Sequence, residues 1–493
     1  MKKIEIKLRQ HEKLPTKTQI DAQQHWLMLL PVSKEVTGIP YVESLLNRRT
    51  KLGRKKADSE PLQMDLANKL STHVVYACVD DTISAFALLT LARKMVAAQH
   101  KQKAASLGIV VSGFNKAHNE RLAEALIAAI SSNAAEMPNY KSDKTKTTVA
   151  CRLDLYGIKV RHAFKRTFAE GEGNALARYL SMLPPNELTP ATYTKRVRKL
   201  ASENKWKMEF YDHKALQKKK AGAFLAVAQA SPDQDAGIVR LIYTPKSYTS
   251  AGKVILVGKG ICYDTGGTNL KPARYMFGMH EDMQGSAVAL GTFLALTKLQ
   301  VNFRVECWLA LATNHIGPKA YKPNDVITAA DGTTIEVVHT DAEGRMVLAD
   351  TLVLASRQKP KLIIDYATLT GACVYSLGSS YSGVFSNREK FHENLIQAGK
   401  NSGERVWPFP LDDDYDKGLE SEVADIKQCG LEGDADHILA ARFLQRFVKN
   451  DTPWVHIDLA ASNHKGGLAH VPTDTTGFGV RYSLNLLLDR KLI

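Results

Sequence analysis

No stretch of about eighteen consecutive apolar residues occurs in this 493-residue chain, which excludes an ordinary membrane-spanning helix. The opening MKKIEIKLRQHEK carries lysines with no apolar core behind them and no cleavage site, so secretion is not expected. Cysteine is scarce and scattered. Its six occurrences, at 78, 151, 262, 307, 373 and 429, include no Cys-x-x-Cys pair, the usage of reduced thiols in a cytoplasmic protein. Internal repeats and long low-complexity segments are missing. The longest charge runs are Lys218 to Lys220 and Asp412 to Asp414, which read as solvated faces. GKG at residues 258–260 is not followed by the Ser or Thr of a phosphate loop.

Apolar residues make up 44% of the chain, enough for two domains and a large core. The N-terminal part alternates strand candidates (Trp26 to Leu30, Val74 to Val79, Gly108 to Val111, Cys151 to Ile158) with helical stretches such as Ile83 to Ala97 and Asn119 to Ala129. That order predicts a smaller α/β domain over residues 1–166. Gly171 to Leu183 has helical character and is stopped by Pro184 and Pro185, so 167–185 is expected to be a linking helix. Residues 186–493 are left for a larger C-terminal domain. Charge is uneven: residues 1–185 hold 29 Lys and Arg against 17 Asp and Glu, which is +12 of the total +15. Such a bias attracts nucleic-acid phosphates in principle. With no helix-turn-helix and no basic motif interleaved with aromatics, a basic outer surface is the preferred reading.

Chemistry concentrates between Val254 and Asp350. Within VILVGKGICYDTGG, the run Val254 to Val257 predicts a buried strand, and Gly258, Gly260, Gly266 and Gly267 predict an irregular loop at its end, where ligands of α/β sheets bind. Asp282 precedes an apolar helical segment, Met283 to Leu299. Asp341 and Glu343 lie between an expected strand, Thr334 to Val338, and an expected helix, Met346 to Ser356; in an extended turn they point the same way. Each carboxylate alone would read as a cap or a turn residue. Together, Asp264, Asp282, Asp341 and Glu343 with Lys259 form a set suited to two hard or borderline divalent ions. Lys259 would have to lose its proton to serve as a ligand, which burial and nearby dications favour.

These pieces, VGKGICYDTGG, LKP, MHEDMQGSA and VVHTDAEGRMVLAD, closely resemble the leucyl aminopeptidases, also called cytosol aminopeptidases, peptidase family M17. The resemblance extends over most of residues 184–493 through PPNELTP, AFLAVAQAS (taken as a strand and loop), DYATLTGA, HIDLAAS and TTGFGVR. It implies an α/β fold whose larger domain has a central mixed sheet flanked by helices. It also implies a metalloexopeptidase that releases N-terminal residues from peptides in the cytoplasm as a homohexamer of two stacked trimers. The tighter metal site would use Lys259, Asp264, Asp282 and Glu343; the more exchangeable one Asp264, Asp341 and Glu343. Zinc or manganese is expected, with magnesium or cobalt as alternatives, and the ion pair activates a water nucleophile. Lys271 matches the catalytic lysine that faces the oxyanion, and Arg345 the arginine that holds a bicarbonate ion. Met279, Thr368 and Gly371 match positions lining the pocket for a leucine-like or methionine-like first side chain. Some bacterial members of the family bind DNA as architectural factors, which is the alternative function.

The sequence departs from the family pattern at four places. His339 stands where Asn is usual, and Glu281 adds a carboxylate beside Asp282. GDADHILAARFL at residues 433–444 introduces Asp434, Asp436 and His437 into a stretch that is normally small and neutral. The loop SNHKGGLAHVPTD, residues 462–474, is longer and more polar than expected.

Overall fold

The computed structural model describes residues 6–32, 36–55, 60–100, 106–142, 152–231, 233–246, 252–490 and 492. Two compact units result, one of residues 1–171 with 465–474, the other of residues 172–464 with 475–493. The helix Lys165–Ser181 runs through the point where the first unit gives way to the second.

In the first unit six strands lie in the order Lys7–His11, Arg152–Tyr156, Ser106–Val111, His25–Pro31, His73–Val79 and Leu62–Asp65. All neighbours are parallel except the last pair. A parallel sheet must be covered on both faces, and the pleat divides the central strands accordingly. Leu27, Leu29, Val75 and Ala77 enter a core with the helices Ala85–His100 and Lys116–Ala134. Trp26, Met28, Leu30, Val74 and Tyr76 enter another with Val42 and Leu45. The two edge strands, KLRQH and LQMD, were invisible to apolar patterning because they are too polar or too short. Cys151 lies outside the described residues.

The second unit contains the mixed sheet flanked by helices. Its central strands, Trp454–Asp458, Leu362–Ala367, Lys253–Asp264 and Arg304–Asn314, are parallel to one another. Antiparallel pairings to Ser382–Ser386 on one side and Gly237–Tyr243 on the other extend it, and Val406–Pro408 and Lys207–Tyr211 complete eight strands. Residues 255, 257 and 261 pack under the wholly buried helix Glu343–Ser356. The opposite face of the same strand meets the helix Gln284–Lys298, buried from residue 284 to 296.

Two expectations are corrected here. Gly258 and Gly260 do not begin a loop; the strand runs on through both to Asp264. Gly258 is glycine because the helix comes so close, a Cβ there lying 2.4 Å from Ser286 Cα; at Gly260 the neighbouring strand crowds as well, a Cβ lying 2.6 Å from Leu311 Cδ2 and 2.8 Å from the Ala310 carbonyl oxygen. Ala223 to Ser231 is not a strand and loop but contains the helix Gly222–Ala228. A short apolar run cannot reveal its own period, and here the buried carboxylate of Asp350 accepts from the Phe224 N–H at 2.8 Å, holding the helix start.

Candidate metal centre

Three chain segments bring the acidic residues together. Lys259 comes from the middle of the strand Lys253–Asp264 and Asp264 is its C-terminal residue. Asp282 follows the single 3-10 turn Met279–Glu281 and precedes the helix Gln284–Lys298. Asp341 stands in a turn, while Glu343 is already the first residue of its helix, three residues earlier than the sequence pattern predicts. The pair therefore does not share an extended turn. A helical Glu343 beneath Asp341 nonetheless brings oxygens of Asp264, Asp341 and Glu343 within 4.8 Å of one another.

Two lysines hold this acidic group. Lys259 Nζ contacts Asp282 Oδ2 at 2.8 Å and Glu343 Oε1 at 3.0 Å, and donates to the Thr368 carbonyl oxygen at 2.9 Å. Lys271 Nζ bridges Asp264 Oδ2 at 2.9 Å and Asp341 Oδ1 at 2.5 Å. Asp282 is thus separated from the other carboxylates by Lys259. Burial favours neutral amines, but the facing carboxylates outweigh it and shift both lysines upward, so among protein groups alone both are ammonium ions. The carboxyls move up as well, mainly from burial and then from repulsion by Asp264: Asp282 to about 6, Asp341 to about 7 and Glu343 to about 8.

This group fits divalent cations by chemistry as well as position. Four carboxylates face two ammonium ions, and Glu343, 1% exposed, accepts no hydrogen bond at either oxygen. Asp341 Oδ1 and Asp282 Oδ2 likewise accept none of proper geometry. Three of these oxygens have only a shared lysine ammonium beside them and Glu343 Oε2 has no donor, a costly arrangement unless a further cation takes them.

The surrounding residues fix the ligands' aim, and sequence reasoning missed most of them. Asn314 Nδ2 donates to Asp264 Oδ1 at 2.8 Å and to the Thr340 carbonyl oxygen at 3.0 Å; Tyr321 donates to the same carbonyl at 2.8 Å. Thr340 Oγ1 donates to the Gly266 carbonyl at 2.6 Å, joining the two loops. Gln428, fully buried, accepts at Oε1 from the N–H groups of Val338 and His339 and donates to the Ala342 carbonyl at 3.0 Å. No local pattern marks these residues, since each acts on a segment more than fifteen positions away.

The remaining candidates divide. Thr368 serves the cluster directly, donating from Oγ1 to Asp282 Oδ1 at 2.7 Å. Met279 is half-buried in the 3-10 turn, and exposed Gly371 opens the helix Gly371–Leu377. Glu281 turns away from the carboxylates and accepts from Asn463 Nδ2 and Thr475 Oγ1. His339 accepts from the Asp341 N–H at 3.3 Å; burial, then Lys271 and Arg345, lower its pKa and keep the ring neutral. Arg345, 2% exposed, donates from Nη2 to Asp436 Oδ1 at 2.8 Å and from Nη1 to the Gln428 carbonyl at 3.1 Å.

Residues 175–484 match the model of the cytosol aminopeptidase family, catalytic domain. The chain belongs to the cytosol aminopeptidase family. It is an aminopeptidase of the hydrolase class. A probable cytosol aminopeptidase of Wolbachia pipientis is 41% identical over 332 residues, 66% of each chain. One from Polaromonas naphthalenivorans is 40% identical over 372 residues, 74% of this chain and 71% of that one. The matched stretch thus spans about two thirds of such relatives. Among solved structures, a mutant of tomato leucine aminopeptidase superposes with a TM-score of 0.86 at 25% identity, covering 99% of this chain and 98% of the other. The bottromycin maturation enzyme BotP in complex with Mn gives 0.82 at 29% identity, covering 95% and 99%. No helix among the described residues is long and apolar enough to cross a membrane.

Proposed function

We propose that this aminopeptidase removes leucine-like or methionine-like residues from the free N-terminus of peptides, using two divalent ions held by Lys259, Asp264, Asp282, Asp341 and Glu343. The carrying observation is the buried excess of carboxylate over ammonium, with Glu343 Oε1 sharing the Lys259 ammonium and Oε2 accepting no hydrogen bond. When bound, such ions supply Lewis-acid polarisation of the scissile carbonyl and lower the pKa of a water; manganese or zinc suits this donor set, with cobalt or magnesium as substitutes.

The chain's own groups do the rest. Lys271 is the more exposed of the two lysines, at 14% of its side chain, and spans Asp264 and Asp341. Its ammonium is therefore the cation available to face negative charge developing on the carbonyl oxygen, an interaction that exists only along the reaction path. Asn314, Thr340 and Gln428 hold the carboxylates' segments fixed, so little reorganisation accompanies reaction. Met279, Thr368 and Gly371 are assigned to the first side-chain pocket. The family resemblance supports a cytoplasmic homohexamer, and none of the five described cysteines is paired.

A panel of aminoacyl anilides assayed with manganese, zinc or cobalt tests this reading. Leu and Met substrates are expected to turn over, chelation to abolish turnover, and Asp341→Ala to be folded but inactive. Equal cleavage of substrates blocked at the amine would end the exopeptidase assignment. Light scattering reports the assembly.

A further inference from the structure

Asp458 is the last residue of the strand Trp454–Asp458, in register with Ala367, where the neighbouring strand Leu362–Ala367 gives way to the turn that carries Thr368. Only 1% exposed, it takes three donors from that turn. The Leu369 and Thr370 N–H groups donate to Oδ1 at 3.1 and 3.4 Å, and the Thr370 hydroxyl donates to Oδ2 at 2.6 Å. The helix Gly371–Leu377 does not need Asp458 as its cap, because Thr370 Oγ1 already accepts from the Cys373 N–H at 3.2 Å. A carboxylate meets all three donors, whereas an asparagine would turn its NH2 group toward one of them.

The Leu369 N–H that Asp458 holds and the Thr368 carbonyl are the two ends of one planar peptide unit. At the carbonyl end Lys259 Nζ donates at 2.9 Å, and the Thr368 hydroxyl donates to Asp282 Oδ1 at 2.7 Å. The other partners of the Lys259 ammonium are oxygens of Asp282 and Glu343, the groups assigned to the ions. The Thr368 carbonyl is thus its one uncharged partner, and the one not called on by an ion. A ligand is aimed by what its remaining N–H groups touch, so the orientation of this peptide unit sets the direction of the amine.

We propose that Asp458 is a positioning residue for the ion that Lys259 serves: it fixes the Thr368–Leu369 peptide unit from behind, and that unit aims the amine. The inference rests on the two-ion reading above.

The test is calorimetric titration of the chelated full chain with manganese, paired with turnover of a leucine anilide and a melting curve of the ion-free protein. Two binding events are expected for the wild type, the tighter one using Lys259. Asp458→Ala should weaken the tighter event at least about tenfold, the low end for loss of a group that supports a ligand. It should lower kcat in parallel and leave the weaker event, built on Asp264, Asp341 and Glu343, little changed. Asp458→Asn keeps one acceptor oxygen and should fall between the alanine variant and the wild type; it also serves if the alanine variant does not fold. A merely structural role would lower the melting temperature and weaken both events alike. Equal weakening of both events, or a tighter event of wild-type strength in either variant, would overturn the inference. Absence of manganese binding and of metal-dependent turnover in the wild type would instead overturn the two-ion reading itself.

Discussion

Gly344 lies directly against the end of the Lys259 side chain: a Cβ at position 344 would stand 2.6 Å from Lys259 Cε and 2.7 Å from Nζ. The helix Glu343–Ser356 can bring Glu343 to the lysine only because its second residue has no side chain.

Gly344→Ala should therefore cost activity and some stability together. Alanine is the better helix former by about 1 kcal/mol, but it meets a buried lysine held by three partners, so a lower melting temperature is expected. Lys259, tied to Asp282, Glu343 and the Thr368 carbonyl, must move off its partners. Activity is expected to fall at least about a hundredfold, as misplacement of about 1 Å can cause, and manganese affinity to weaken in titration calorimetry. A variant with wild-type kcat and metal affinity would refute the claim that the close approach matters.

Gln428 ties together the Val338, His339 and Ala342 backbone and, through its own carbonyl, Arg345. Gln428→Leu keeps the volume but leaves two partly buried N–H groups and a partly buried carbonyl without this partner, a total cost of about 1–3 kcal/mol once water takes up some of them. We expect a lower urea midpoint and a reduced kcat with KM little changed, since the ligand-bearing turn loosens while the pocket residues are untouched. Retention of both midpoint and kcat would show that the turn holds its shape without the clamp.

Asp350 gives a pH signature away from the metal cluster. Its buried carboxyl accepts from the Phe224 and Ala330 N–H groups at 2.8 and 2.7 Å, yet burial outweighs them and pushes its pKa up to about 7. A folded-state pKa above the unfolded value means that the native state binds the proton more tightly. The associated stability is complete below about pH 4 and is lost as pH rises through about 7. Asp350→Asn should remove this component, giving a flatter dependence of unfolding free energy between about pH 4 and 7 in urea titrations. Identical slopes for variant and wild type would contradict the assignment.

The acidic cluster was legible in the sequence because Lys259, Asp264, Asp341 and Glu343 lie in dense motifs whose glycines and carboxylates make sense only jointly. Val254 to Val257 and the central strands of the first unit were legible as apolar runs, whereas Arg304–Asn314, Leu362–Ala367 and Trp454–Asp458 were not marked as strands. What escaped detection acts across distance: Asn314 is 50 positions from Asp264, and Asp436 is 91 from Arg345. The strand continuing through Gly258 and Gly260 was hidden because those glycines answer to a neighbouring helix and strand rather than to a turn. The helix at 222–228 was hidden because its start is held by Asp350, far along the chain. Local propensity carries no trace of such partners.

Lys259 and Lys271, each gripping carboxylates from two different segments, also act as temporary counter-ions. With the acidic charge partly balanced internally, the polypeptide is expected to reach its native arrangement without added divalent ions.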